Sequence, residues 1–383
     1  MTTFELMAPC HFGLEAVAKR EIYDLGYDVN RVEDGRVYFT GDAEAIVLAN
    51  LCLRTVERVL IDIGSFPART FDELFEGIRA LAWEEYIPPN GRFWVTKATS
   101  VKSKLYSTTD IQSIVKKAMV RHLGELYHIE HFAEDGADFP IRISILKDVV
   151  TVGLDTSGAS LHKRGYRPVS GEAPISETLA AALILLTPWK WDRILVDPLC
   201  GSGTFLIEAA MMAKEIAPGL QRHFTAEAWE RLCPLELWNE ARADCRARIR
   251  TDRDCDLQGY DIDGRVLRTA RENAQRAGVA ELIHFQERDV RELSHAKPYG
   301  FIITNPPYGE RMGEESELDD LYRSLGQAYR SLKDWSMYLI TSYEGAQRAI
   351  GRKADKNRKV YNGMLRAYYY QYLGAKPKWN KKS

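Results

Sequence analysis

From residue 193 onward the chain alternates short apolar runs with glycine loops and helical stretches, and this pattern restricts the fold more than any other feature. Arg193 to Asp197, Leu257 to Asp261, Leu282 to Gln286, Phe301 to Thr304 and Met337 to Thr341 are each four or five residues long and mostly apolar. Parallel strands need long crossovers and lie buried on both faces, so they read as unbroken apolar runs separated by helices. The repetition predicts an α/β fold, a doubly wound, Rossmann-like parallel sheet. Lys359 to Tyr361 and Leu365 to Tyr372 would close it as an antiparallel hairpin around Asn362-Gly363.

The 383 residues exceed one average domain. Residues 4 to 65 read as short strands and helices, with Phe4 to Met7 and Arg36 to Thr40 extended, and Glu15 to Leu25 and Ala43 to Cys52 helical. A second α+β unit follows. Arg92 to Ala98 is a strand, Thr109 to Leu126 an amphipathic helix, and Ile141 to Ile145 pairs with Val149 to Leu154 as a hairpin. We expect units at 1–65, 66–165 and 166–383, with a boundary near Arg167-Pro168-Val169-Ser170-Gly171.

The net charge is −2, but its distribution is uneven. Gly345 to Ser383 holds eleven Lys or Arg against Asp355 alone, which is +10, so the remainder carries −12. Lys97, Lys102, Lys104, Lys116, Lys117 and Arg121 form a second basic stretch broken by Asp110 alone. One such patch is more often a solvated face; two together favour phosphate contact. The six cysteines lack the close spacing of a zinc site, and a disulfide framework does not suit this size and class. No apolar run is long enough to cross a bilayer, and Met1-Thr2-Thr3-Phe4-Glu5 lacks a signal-peptide pattern. A cytoplasmic protein without a metal is expected.

Asp197-Pro198-Leu199-Cys200-Gly201-Ser202-Gly203-Thr204 joins the first of these strands to a helix. Its glycines let a ligand approach the backbone, and the helix N-terminus offers free N–H groups. Leu206 replaces the third glycine of the dinucleotide fingerprint, and no Gly-Lys-Ser/Thr follows, so neither that fingerprint nor a P-loop is present. Asp261, followed by Ile262, ends the second strand, where a carboxylate can accept from ribose hydroxyls. Asp289, followed by Val290, follows the third strand, where it could accept from an adenine amine. Either acid could instead cap a helix. Together they point to an adenosine-bearing cofactor.

Asn305-Pro306-Pro307-Tyr308-Gly309 ends the fourth strand, beside the switch point where such sheets bind ligands. An exocyclic amine is a weak nucleophile because its lone pair is delocalised into the ring. The Asn305 side-chain oxygen and the Pro306 carbonyl could accept its two hydrogens and aim the lone pair at a sulfonium methyl. The two prolines fix the loop beforehand, and Tyr308 offers a ring for a flipped-out base. The loop contains no Cys, which disfavours covalent thiolate chemistry on a pyrimidine carbon. Cys200 lies in the glycine loop, where packing is the expected role. Glu310 and Arg311 could orient the substrate or lie on the surface.

These motifs resemble the class I methyltransferases. The whole chain is similar to the bacterial guanine-N2 methyltransferases of large-subunit (23S) ribosomal RNA, with a ferredoxin-like unit, a THUMP RNA-binding domain and a catalytic domain. The resemblance is carried by Ser100 to Tyr106, Lys116-Lys117-Ala118, Arg164-Gly165-Tyr166-Arg167, Ala173 to Ala180, Ile216 to Leu220 and Lys359 to Gly363. It implies S-adenosylmethionine as cofactor, flanked at its methionine part by Pro174, Ile175, Ser176, Glu177 and Thr178 and by Asp197 to Thr204. Asp261 and Ile262 would lie at the ribose, Asp289 and Val290 at the adenine, and Asn305 to Tyr308 at the target base. Lys102, Lys104, Lys116, Lys117, Arg164 and Arg167 are candidate RNA contacts. Some fifty-odd residues separate Gly203 from Asp261, against roughly twenty in minimal folds. The insertion, 215–255, reads as helical, with Trp229 and Trp238 either at RNA or covering the sheet.

The leading expectation is an RNA guanine-N2 methyltransferase. Relatives with this loop have also been labelled adenine-N6 DNA methylases, and a side-chain amide of a protein glutamine would present a similar planar amine. A non-catalytic RNA-binding or assembly protein is the reading from a different class; the intact loop, both acids and the glycines argue against it.

Overall fold

A computed structural model describes residues 2–167, 175–308, 315–363 and 365–377. The strands, in chain order, are β1 Phe4–Pro9, β2 Val29–Glu33, β3 Arg36–Gly41, β4 Leu60–Pro67, β5 Arg92–Val101, β6 Asp138–Leu146, β7 Val149–Asp155, β8 Leu195–Asp197, β9 Leu257–Asp261, β10 Ile283–Glu287, β11 Phe301–Thr304, β12 Ser336–Thr341, β13 Lys356–Asn362 and β14 Leu365–Tyr372. The α-helices are α1 Glu15–Asp24, α2 Ala43–Cys52, α3 Phe71–Arg79, α4 Thr108–Tyr127, α5 Glu177–Leu185, α6 Thr204–Ala213, α7 Leu235–Ala247, α8 Gly264–Arg276, α9 Glu315–Ser331 and α10 Ala346–Ile350.

The contacts divide the chain into two compact units. One comprises 1–10, 19–161 and 223–243; the other comprises 11–18, 162–222 and 244–383. The first is built on one seven-stranded sheet in the order β2-β3-β1-β4-β7-β6-β5. The strands expected in two separate N-terminal units therefore hydrogen-bond into a single sheet through the antiparallel β4–β7 pair. Sequence reading overlooked β2 and β4. β2 is exposed over most of its length, and β4 carries Asp62 and Gly64 at a bulge, so neither shows clean alternation. It also overlooked α3, although Thr70 and Glu73 close a capping box there.

In the second unit the order is β10-β9-β8-β11-β12-β14-β13, with β8 to β12 parallel and β14 antiparallel to both neighbours. Leu195, Ile303, Tyr338 and Ile340 enter one core, and Val196, Ile302, Met337 and Leu339 enter the other. Successive residues thus alternate between two buried faces, which is why the strands read as continuous apolar runs. The hairpin register pairs Asn362 with Leu365. Asn362 is thus the last residue of β13, and Gly363, at φ 63°, opens the loop one residue later than expected.

The 215–255 insertion is divided between the units, since 223–243 packs within the first. Trp229 is buried, lies face to face with Phe139 at 5.1 Å and donates through Nε1 to the Asp138 carbonyl. Trp238 is fully buried and stacks on Phe224. Of the two alternatives for these rings, contact with RNA is corrected, because both are core residues.

Candidate active site

The site elements all belong to the second unit, at the carboxyl ends of its parallel strands. β8 lies between β9 and β11, so the chain order reverses at β8 and opens a crevice above it. The glycine loop occupies one side of this crevice and Asn305 to Tyr308 the other.

The loop after β8 is held largely by backbone groups. Cys200 N–H donates to the Tyr260 carbonyl at 2.8 Å, and Gly203 N–H to the Cys200 carbonyl at 2.8 Å. Gly203 caps α6 in the left-handed region, at φ 81°, and a Cβ there would lie 3.0 Å from the Phe285 ring. Both conformation and space therefore require glycine. Asn273, buried on α8, donates to the Ser202 carbonyl at 3.2 Å, an anchor not visible in the motif.

Asp261 accepts from Gly201 N–H at 3.0 Å through Oδ2 and from Asp263 N–H at 3.1 Å through Oδ1. A carboxylate has about four acceptor sites, so each oxygen keeps capacity for a hydroxyl. Ile262 beside it is 66% exposed, an apolar side chain open at the crevice. Asp289 caps a short 3-10 turn: it accepts from Arg291 N–H at 2.8 Å, and both its oxygens meet the Arg291 guanidinium. That pairing holds its carboxyl down, to about 2. Val290 is buried behind it. Asp197 is fully buried, and desolvation lifts its pKa to about 7 against the Thr304 hydroxyl and the Leu199 N–H. Cys200 is buried too, and desolvation raises its thiol well above the ordinary range, which suits packing.

The start of α5 lies on the glycine-loop side, joined to Thr204 through Arg167 and Glu177. Ser176 caps α5 through Leu179 N–H, and His11 Nε2 lies 3.3 Å from Ser176 Oγ and 3.2 Å from Thr178 Oγ1. Ile175 is buried, and Pro174 lies outside the described residues, as do Gly309, Glu310 and Arg311. Two of the expected RNA contacts are corrected here. Arg164 is 3% exposed and faces Glu208 of α6 at 3.5 Å, where Tyr166 also donates to Glu208. Arg167 is nearly covered; it donates to Glu177 at 3.0 Å, to Thr204 Oγ1 at 3.1 Å and to the Ile175 carbonyl at 3.3 Å. A guanidinium so enclosed braces the wall instead of reaching a phosphate. Glu177 is buried as the partner in that ion pair. In the first unit, Lys116 is pinned between the Phe93 carbonyl, the Phe93 ring and Glu134, whereas Lys102, Lys104 and Lys117 are exposed.

Across the crevice, Asn305 is half-buried, Pro306 buried and Pro307 exposed. The Tyr308 hydroxyl donates to Asn305 Oδ1 and also meets the Asn362 side chain. Tyr322 of α9, buried and 2.6 Å from Thr341 Oγ1, donates to the Pro307 carbonyl at 3.1 Å. Its ring packs on Tyr343 at 5.1 Å. Asn362 and Tyr322 were not singled out for this site. They come from segments 54 and 14 residues beyond Tyr308, and only strand order and helix packing bring them to it.

Among the described residues, no group of three or more His, Cys, Asp or Glu is placed to hold a metal, and no helix is long and apolar enough to cross a membrane. An open glycine loop, two strand-end carboxylates and an amide-bearing loop at one switch point suit an adenosine-bearing methyl donor.

The comparisons agree with this class. Residues 164–371 match the family model described as RMKL-like, methyltransferase domain; 5–60 match the RlmL ferredoxin-like domain and 68–155 the THUMP domain. The chain belongs to the THUMP-domain class I S-adenosylmethionine-dependent methyltransferases related to RlmL. It is 46% identical over 376 residues, 97% of this chain and 96% of the relative, to the Bacillus subtilis (strain 168) protein named "Putative RNA methyltransferase YpsC". A solved structure titled "a putative methyltransferase complexed with SAH" is 44% identical, with a TM-score of 0.93 over 99% of this chain and 100% of that one. A Listeria monocytogenes structure titled "a predicted N6-adenine-specific DNA methylase" is 47% identical, with a TM-score of 0.92 over 98% of this chain and 97% of that one.

Proposed function

We propose that this enzyme methylates the exocyclic amine of a base in RNA, and that the amine is guanine N2 of large-subunit (23S) ribosomal RNA. The observation that carries the amine is the arrangement at Asn305. Its Oδ1 accepts one hydrogen bond, from Tyr308, and an amide oxygen has a second lone pair for a substrate N–H. The Pro306 carbonyl is the second acceptor. With both hydrogens held, the nitrogen lone pair turns out of the ring plane toward the donor. S-adenosylmethionine supplies the electrophilic methyl on a sulfonium. The new N–C bond forms as the S–C bond breaks, and the nitrogen then sheds a proton to solvent, so no strong general base is required. Burial disfavours the thiolate of Cys200.

On the cofactor side, the residues present fit the group. Asp261 retains acceptor capacity for ribose hydroxyls, Ile262 presents an apolar side chain, and Ile175 to Thr178 with Asp197 to Thr204 would hold the methionine end. Asp289 would accept an adenine amine by sharing its oxygens with Arg291. RNA as the polymer is supported by the THUMP match, the exposed Lys102, Lys104 and Lys117, and the relative's name.

Nucleoside mass spectrometry of ribosomal RNA and DNA from cells lacking the gene tests this reading. Loss of N2-methylguanosine from the large-subunit RNA is expected. Loss of N6-methyladenine instead, the activity named for the Listeria relative, would replace guanine by adenine as the target.

A further inference from the structure

Residues 11–18 pack with the catalytic unit although β1 and α2, on either side in sequence, belong to the other. The start of this segment is tied at both ends. His11 reaches Ser176 and Thr178, and Arg358 Nη1 of β13 donates to the Gly13 carbonyl at 2.7 Å. Gly13 is left-handed, at φ 84°, and a Cβ there would lie 3.2 Å from the Lys359 carbonyl. Between these ties Phe12 is 47% exposed, with its ring edge-on to Tyr361 at 5.9 Å and 81°. The exposed Lys359 shares a strand face with Tyr361, its Nζ 5.3 Å from the ring centroid.

The topology places this cluster beside the reacting end. β13 runs antiparallel to β14, which runs antiparallel to β12, itself parallel to β11, so β13 and β11 finish at the same end of the sheet. The contact of Asn362 with Tyr308 closes the distance between them. A rigidly held, half-exposed aromatic ring with a lysine beside it is how proteins take a single-stranded base and its phosphate.

We infer that Phe12, braced by Tyr361 and accompanied by Lys359, is a stacking platform for an unpaired nucleobase adjoining the target nucleotide. The inference rests on RNA being the substrate. Lone exposed apolar side chains are common and carry no meaning by themselves. Here both flanking residues, His11 and Gly13, are tied to the catalytic unit, and the ring meets Tyr361 edge-on.

The test uses the full chain and ribosomal RNA purified from cells lacking the gene, following methyl transfer from labelled S-adenosylmethionine. Phe12→Leu keeps apolar bulk but removes the π face. It should raise KM for RNA about tenfold, with S-adenosylmethionine affinity and thermal midpoint unchanged. Phe12→Tyr should restore the KM. Lys359→Ala should lower the slope of log affinity against log salt by about one. As a direct probe, quenching of 2-aminopurine in a single-stranded RNA should weaken in Phe12→Leu. If the wild type methylates RNA while Phe12→Leu matches its KM and quenching, the platform is overturned and the RNA reading stands. If the wild type methylates DNA and not RNA, both fall.

Discussion

The two banks of the crevice are built differently. The glycine loop is held by backbone bonds from its neighbouring strand, and behind it lie enclosed ion pairs, Arg164 with Glu208 and Arg167 with Glu177. The Asn305 loop is held by hydroxyls, those of Tyr308 and Tyr322, with no charged group among these contacts. A bank of paired charges and backbone bonds is rigid, and losing one member destabilises the fold. A bank set by single neutral hydrogen bonds can be perturbed with little loss of stability, so its defects should surface in rate.

The most severe departure should come from Glu208→Ala, which removes the carboxylate facing the buried Arg164 and Tyr166. We expect a loss of about 3 kcal/mol in denaturant unfolding; a loss below about 1 kcal/mol would mean that the ion pair does not organise this bank. Asn305→Ala should lower kcat about 100-fold or more, by analogy with removal of an electrostatic anchor, while calorimetric affinity for S-adenosylmethionine stays within about twofold. A wild-type rate would sink the amine-holding role. Tyr322→Phe keeps the ring and deletes the bond to the Pro307 carbonyl. It should reduce kcat about threefold to tenfold, matching the ordinary worth of one neutral hydrogen bond; equal losses in cofactor binding would erase the contrast between the banks.

A pH dependence of the wild type stands apart from these substitutions. Asp197 has a raised pKa in the fold, from 3.8 to about 7, so the folded state favours its protonated form. Its contribution is fully present below the unfolded value and is lost as pH rises toward the folded value. Wild-type unfolding free energy should therefore fall relative to Asp197→Asn between about pH 4 and 7. Parallel curves for the two proteins would show that burial does not hold the proton.

The difference between the banks also explains what could be read beforehand. Asp197 to Thr204, Asp261 and Asn305 to Tyr308 lie at the ends of apolar runs, and a parallel strand's length and exit can be read from local periodicity. β9 and β11 accordingly match the expected limits, and α2 does as well. Arg164 and Arg167 were misjudged because a basic run looks the same whether its guanidinia face water or carboxylates, and Glu208 lies 44 residues from Arg164. Asn362, Tyr322 and His11 carry no local sign of belonging to the site, since each arrives through a long-range packing choice.

The sequence by itself determined the sheet class, the glycine loop after β8 and the Asn305 loop after β11, because these depend on side-chain period, glycine conformation and residue chemistry within a few positions. Tertiary structure alone decided which charges are spent inside the wall, that the two N-terminal units share one sheet, and that residues 11–13 stand with the catalytic unit. Those outcomes depend on burial and on contacts between distant segments, and no local pattern encodes which partner a buried charge or a strand edge will meet.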